Sequence, residues 1–194
     1  GGNPTASPDA PDRDEVPVNR VLPIPAVDSI DDYLDRREGG IGLATAQDIG
    51  AAATLELIEA SGLRGRGGGG FPTGRKWRTV AEQRGPRHGV VNAAEGEPGT
   101  FKDRALIRAD PYQLVEGALI AAHAVGADEV TIAVKASFEQ ESRRLSAAVQ
   151  EIEAAGWADG VRMVLRGGPS AYLFGEETGL LEVLEGRQPF PRVA

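Results

Sequence analysis

The chain has no cysteine, one methionine and two histidines, His88 and His123, and only 5% of its residues are aromatic. Without thiolates there is no disulfide and no cysteine-held zinc or iron-sulfur cluster within these residues, and no iron-sulfur or other metal centre is expected in this chain. Long apolar runs are also lacking. Nothing approaches the roughly 20 residues of a membrane helix, and the polar, Pro-rich beginning has no basic-then-apolar secretory layout. Positive charge is scarce too: 21 Lys and Arg against 29 Asp and Glu leave a net charge of -8. That balance argues against nucleic acid or an anionic membrane as the main partner and predicts a soluble, cytoplasmic protein without direct membrane insertion.

What remains is enough to fold, because 41% apolar content in 194 residues can fill the core of one domain. Residues 1–27 begin "GGNPTASPDAPDRDEVPVNR", rich in Pro, Asp, Gly and Ser with little to bury, and read as a disordered or draped acidic tail. Residues 28–194 read as one domain. Both ends look cut, the first lacking Met and the last stopping in "EGRQPFPRVA", so the domain is expected to be truncated at its C-terminal end.

The periodicity predicts a helix over 45–60, capped by Thr45, with Ile49, Ala52, Ala53 and Leu57 on its apolar face. A glycine-rich loop follows, then a helix over 73–83 capped by Thr73 and a buried-type strand over 88–94. Asp110 and Pro111 are a cap and a first-turn proline opening a helix that runs to about residue 125, and Gly126 stops it. Further elements are a strand over 129–135, a helix over 139–155, a strand over 161–166 and a helix over 175–184. Strands alternating with helices imply a mainly parallel sheet and a three-layer, Rossmann-like α/β domain, preceded by a helix and the glycine-rich loop. Ligands of such sheets meet the carboxyl ends of the strands.

Three segments carry chemistry. In "SGLRGRGGGGFPTGRKW" the glycines Gly65, Gly67 and Gly70 fit G-x-G-x-x-G, but a helix rather than a strand precedes them, and Lys76 is not placed as in a Walker loop. The underlying chemistry survives: close backbone approach, free amides and the cations Arg64, Arg66, Arg75, Lys76 and Arg78 suit a flat or anionic ligand. The competing reading is a flexible glycine hinge with solvated arginines. In "NAAEGEPGTFKDR" the carboxylates of Glu95 and Glu97 would face one side if strand geometry continued, or else form a solvated acidic turn pairing with Lys102 and Arg104. In "GPSAYLFGEETGLLEVLEG" Glu176 and Glu177 open a helix, where acids also complement the helix dipole without any ligand.

In this order and wording the three segments resemble the NADH-binding flavoprotein subunit of respiratory complex I, a module shared with NAD-linked hydrogenases and formate dehydrogenases; the resemblance spans about residues 45–190. It implies an FMN-dependent NADH dehydrogenase module in which a hydride passes from nicotinamide to flavin with no side chain acting as catalyst. It further implies that Gly65, Arg66, Gly67 and Gly68 line the flavin phosphate and ribityl chain, with Lys76 as a further cation, and that Asn92, Glu95, Tyr172, Gly175 and Glu176 complete the pocket, Tyr172 near the isoalloxazine. Phe71 would pack on the adenine of NADH, Glu97 grip the nicotinamide amide and Glu177 stand near a ribose. Partner subunits of an electron-transfer complex are implied as well. The chain departs from the family pattern at Ala94, where Asp is usual, at Thr79 for Phe, at Gly69 for Ala and at Phe174 for Cys. The family's later segments, including the domain whose four cysteines hold a [4Fe-4S] cluster, have no counterpart here. Those departures motivate the alternative of a non-catalytic nucleotide-binding or assembly module of the same fold.

Overall fold

The computed structural model describes residues 22–66 and 69–192. Three strands, β1 (His88–Ala93), β2 (Glu129–Lys135) and β3 (Arg162–Gly168), form one parallel sheet in the order β1-β2-β3. Val90 lies opposite Thr131 and Thr131 opposite Val164, so the three carboxyl ends finish together at one edge. The crossovers are α5 (Pro111–Val125) and α6 (Glu139–Ala154). Both cover the face from which Val130, Ile132 and Val134 project, where they meet Leu119, Leu145 and Ile152 in the main core. The opposite face is covered by a 3-10 turn (Tyr172–Gly175) and α7 (Glu177–Leu184), through a second cluster of Ala94, Ala133, Phe174 and Leu180. No helix among the described residues is long and apolar enough to cross a membrane.

Signals that act locally hold. Asp110 accepts the backbone N–H of Gln113 at 3.0 Å to cap α5, Pro111 occupies its first turn, and Gly126 ends it in the left-handed region at φ 69°. Other expectations shift. β1 stops one residue sooner than expected, β3 runs on to Gly168, and the last helix begins at Glu177, after the 3-10 turn rather than through it. The two short helices α1 (Ile30–Arg37) and α4 (Lys102–Ala109) are additions to the expected series. Ser29 caps α1 by accepting from the Asp32 N–H at 3.1 Å, so an N-cap signal was present within a stretch too polar to read as a core helix.

The largest correction concerns α2, which spans Ile41–Ala60 and so begins before Thr45. Thr45 lies inside it and caps nothing. Gly50, at φ 82° and ψ 165°, interrupts the helical backbone, and the break resets the phase of the apolar stripe. The buried residues are Leu43, Ala46, Thr54 and Leu55, whereas Ile49 and Leu57 are exposed. Thr54 bridges the break by donating its hydroxyl to the carbonyls of Ala46 and Gly50, at 3.2 and 2.9 Å. The helix α3 (Thr73–Ala81) starts at Thr73, but its cap position is Pro72 and no side chain caps it. It crosses α2 so closely that a methyl on Gly74 would stand 2.5 Å from Glu59 Cα.

The start of α2 is capped from another helix. Glu116, buried in α5, accepts from the backbone N–H groups of Gly40 at 3.0 Å and Leu43 at 2.9 Å, and from the Tyr33 hydroxyl at 2.6 Å. Burial and this carboxylate together push the Tyr33 phenol well above its ordinary range, so it remains a donor. One carboxylate thus ties α1 and α2 to α5. Each buried donor left without an acceptor costs about 1–3 kcal/mol, so Glu116→Ala is expected to lower stability by about 3 kcal/mol or more, and Tyr33→Phe by about 1 kcal/mol. Urea denaturation checks both, and equal midpoints for the two variants would show that the backbone caps do not need the carboxylate.

Candidate functional site

At the carboxyl edge of the sheet lies a cleft of about 670 Å³, within the range of small-molecule sites. Its walls come from three separate parts of the chain: Arg66 from the glycine-rich loop, the end of β1 and the segment after it from Asn92 to Asp103, and the segment from Tyr172 to Glu176 after β3.

Small residues let these parts meet. A methyl on Gly175 would stand 2.7 Å from the Ala94 carbonyl oxygen, and one on Gly96 would stand 2.9 Å from that of Tyr172. A methyl on Gly168 would overlap the Phe174 ring, which is wholly buried at the end of β3. The Asn92 amide then fastens the 3-10 turn to β1 by donating to the Gly175 carbonyl at 2.8 Å. Pro98 and Gly99, the latter at φ 81°, turn the chain after Glu97, and Thr100 closes that turn by donating its backbone N–H and its hydroxyl to the Glu97 carbonyl. This turn brings Thr100, Lys102 and Asp103 to the cleft, a contribution the residue pattern had not suggested. The Pro-Gly pair was the available signal.

The glycine-rich segment is folded back on itself. Gly65 donates to the Phe71 carbonyl at 3.0 Å, Thr73 to that of Leu63 at 2.9 Å, and the Arg64 guanidinium to that of Gly70 at 2.9 Å. Arg66 is thereby carried to the cleft. Gly67 and Gly68 lie outside the described residues. Gly65 and Phe71 are outside the cleft wall, Phe71 half exposed beside it in sequence. Lys76 and Glu177 also stand outside that wall and pair with each other at 3.3 Å, joining α3 to α7.

The acids have separate partners. Because β1 ends at Ala93, strand geometry does not continue through Glu95 and Glu97, and their carboxylates diverge. Glu95 turns inward, accepting from the Asp103 N–H and pairing with Arg104, each at 3.3 Å. Glu97 stays exposed and accepts the Tyr172 hydroxyl at 2.8 Å. That bond pushes the Tyr172 phenol above its ordinary range and keeps it protonated. Glu176 caps α7, accepting from the Gly179 N–H and the Thr178 hydroxyl at 2.7 Å each. Of the expected residues, the fold therefore gathers Arg66, Asn92, Glu95, Glu97, Tyr172, Gly175 and Glu176 around one cleft.

Burial opposes ionisation of Glu95, but the Asp103 N–H and the Arg104 guanidinium outweigh it and hold its carboxyl below the usual value of 4.5. A depressed folded value contributes stability that is present above pH 4.5 and lost as pH falls through it. Glu95→Gln is therefore expected to flatten the acid limb of the stability profile below pH 4.5, measured by urea midpoints across pH. An acid limb as steep as that of the parent chain would move the effect to other carboxylates.

The chain is similar to known proteins over most of its length. The F subunit of the NADH-quinone oxidoreductase of Aquifex aeolicus is 39% identical over 178 residues, covering 87% of this chain and 41% of that protein. Its counterpart from Rhodobacter capsulatus is 43% identical over 162 residues, covering 78% of this chain and 38% of the relative. Among solved structures, an NAD+-reducing [NiFe]-hydrogenase in its H2-reduced state superposes with a TM-score of 0.76 at 37% identity, covering 87% of this chain and 30% of that one. The chain thus spans about two fifths of the length of these curated relatives. The Nuo51 FMN-binding domain matches residues 58–194, which include all three walls of the cleft, and the chain accordingly belongs to that family.

Proposed function

We propose that the chain is the FMN-binding, NADH-oxidising module of a larger electron-transfer assembly. The observation that carries this reading is the convergence of Arg66, residues 92–97 and residues 172–176 on one cleft at the strand ends. The fit to FMN rests on the glycine cradle: side chains at Gly96 and Gly175 would collide with neighbouring backbone, and their absence lets the segments after β1 and β3 close into one thin wall against which a planar ring could lie. When bound, FMN supplies the hydride-accepting chemistry, which no side chain of the chain need perform.

The chain's own residues bind and orient. Arg66 is the cation of the glycine-rich loop that reaches the cleft, and it suits a phosphate. Gly65, Gly67 and Gly68 are proposed as that loop's backbone contribution. Asn92 spends its amide on the Gly175 carbonyl, so its part is to fix the wall. Glu95 and Glu176, both engaged with neighbouring donors, shape the pocket from behind. Glu97 and Tyr172 face the cleft together, the phenol orienting a carboxylate that retains acceptor capacity for the amide NH2 of a nicotinamide. The Lys76–Glu177 pair offers a cation to a phosphate and an acid to a ribose hydroxyl once opened, with Phe71 exposed for stacking on an adenine. With no cysteine in these residues, electrons leave to an acceptor or a partner subunit outside them.

The test is to titrate the chain with FMN and then with NADH under anaerobic conditions. A lost hydrogen bond to a charged group is worth about 1.5–3 kcal/mol, so Arg66→Ala should weaken FMN binding by about tenfold or more. Glu97→Ala should leave FMN affinity near that of the parent and lower NADH-dependent bleaching of the flavin by about tenfold or more. Failure of the parent chain to bind FMN would favour the non-catalytic alternative. A larger loss of FMN than of NADH response in Glu97→Ala would move that residue to the flavin wall.

A further inference from the structure

Among the described residues, one buried cation beside the cleft has no opposing charge. Lys135 closes the central strand β2, at the strand end where ligands of open parallel sheets are met. Its side chain leaves the strand on the same face as Ala133, the face packed by Phe174 and Leu180. The residue is only 7% exposed. Its Nζ lies behind the Gly96 part of the cleft wall, 3.4 Å from the position a methyl on Gly96 would take.

A lysine this deep ordinarily has a carboxylate partner. Its cationic neighbours do: Arg104 pairs with Glu95, Lys102 with Asp103, and Lys76 with Glu177. Among the described residues Lys135 has neither a carboxylate nor a hydrogen-bond acceptor. The contact it does make is with the face of Phe138, 6.0 Å from the ring centroid, a ring it shares with Arg104 at 5.1 Å. A mostly buried positive charge whose protein partner is a ring face is favoured by negative charge arriving on the far side of Gly96.

We infer that Lys135 is a positioning residue that tunes the redox balance of the bound flavin by favouring its reduced form; this rests on the reading of the cleft as an FMN site. In the proposed reaction a hydride, two electrons with one proton, leaves the nicotinamide, which departs as a cation, and the flavin gains one negative charge. The oxidised ring is uncharged, so a fixed cation one backbone thickness behind the wall stabilises the reduced state selectively. It does so without touching the reacting atoms.

The experiment compares the affinity of the chain for oxidised FMN and, under anaerobic dithionite, for reduced FMN, and measures the bound flavin's midpoint potential. Lys135→Met and Lys135→Gln both remove the charge in side chains of suitable length, and Lys135→Arg keeps it; circular dichroism establishes that each is folded. The neutral variants are expected to hold oxidised FMN as the parent does and reduced FMN about tenfold more weakly, which is a two-electron potential lower by about 30 mV. Lys135→Arg should retain the parent's ratio. Equal weakening of both redox forms would assign the charge to the FMN phosphate and overturn the inference, as would unchanged affinities and potential in all variants. If the parent chain binds neither form, the FMN reading itself fails and takes this inference with it.

Discussion

The site depends on the close approach of the 3-10 turn Tyr172–Gly175 to the ends of β1 and β3. The Phe174 ring fills the space that Gly168 leaves, and Gly175 rests against the Ala94 carbonyl. Phe174 also seals the second core with Ala94, Ala133 and Leu180, so the cleft wall and the packing of the sheet's second face are one structure. Interiors are close-packed, and such a contact tolerates no added methyl without movement of its neighbours. Ala94 and Phe174, where the resemblance leads one to expect Asp and Cys, share one setting. Both are wholly buried in the same apolar cluster, Phe174 behind the cleft and Ala94 at its wall.

Charge at the cleft is organised in two layers. Behind the wall, Glu95 is neutralised by Arg104, while Lys135 is left with the Phe138 ring. In front, Glu97 with Tyr172 and Lys76 with Glu177 engage one another through exposed contacts. Exposed pairs exchange partners at little cost, whereas a buried charge is committed to its place. The front layer is therefore suited to accept a ligand that comes and goes, and the rear layer to set a constant field. A chain carrying -8 overall thus still places three cations, Arg66 and Lys102 at the cleft and Lys135 behind it, where an anionic cofactor would lie.

The periphery is held by a different device. Glu116 gathers the start of α2 and the Tyr33 hydroxyl of α1 onto α5, and α2 in turn supports α3 at the Gly74 crossing. Since α3 follows the glycine-rich loop directly, this buried carboxylate indirectly sets the frame from which Arg66 reaches the cleft.

Features whose causes are local, or nearly so, were legible in the amino-acid order. Strand and helix periodicity, the Asp110–Pro111 start and the Gly126 stop were sufficient for the parallel βα order, because each acts within a turn or two of chain. The three quoted segments likewise pointed to the family, and they hold the lining residues of the cleft wall. Long-range packing settled the rest. Glu95 and Glu97 are two residues apart, yet Arg104 draws one inward and Tyr172 holds the other at the surface. The face that α2 buries followed from the break at Gly50 and from Glu116, 73 residues beyond Leu43, rather than from its own apolar stripe. Lys135 read as the polar end of a strand. Its significance lies in its burial and in the lack of an acceptor among the described residues, both created by contacts between distant segments, and no local pattern encodes either.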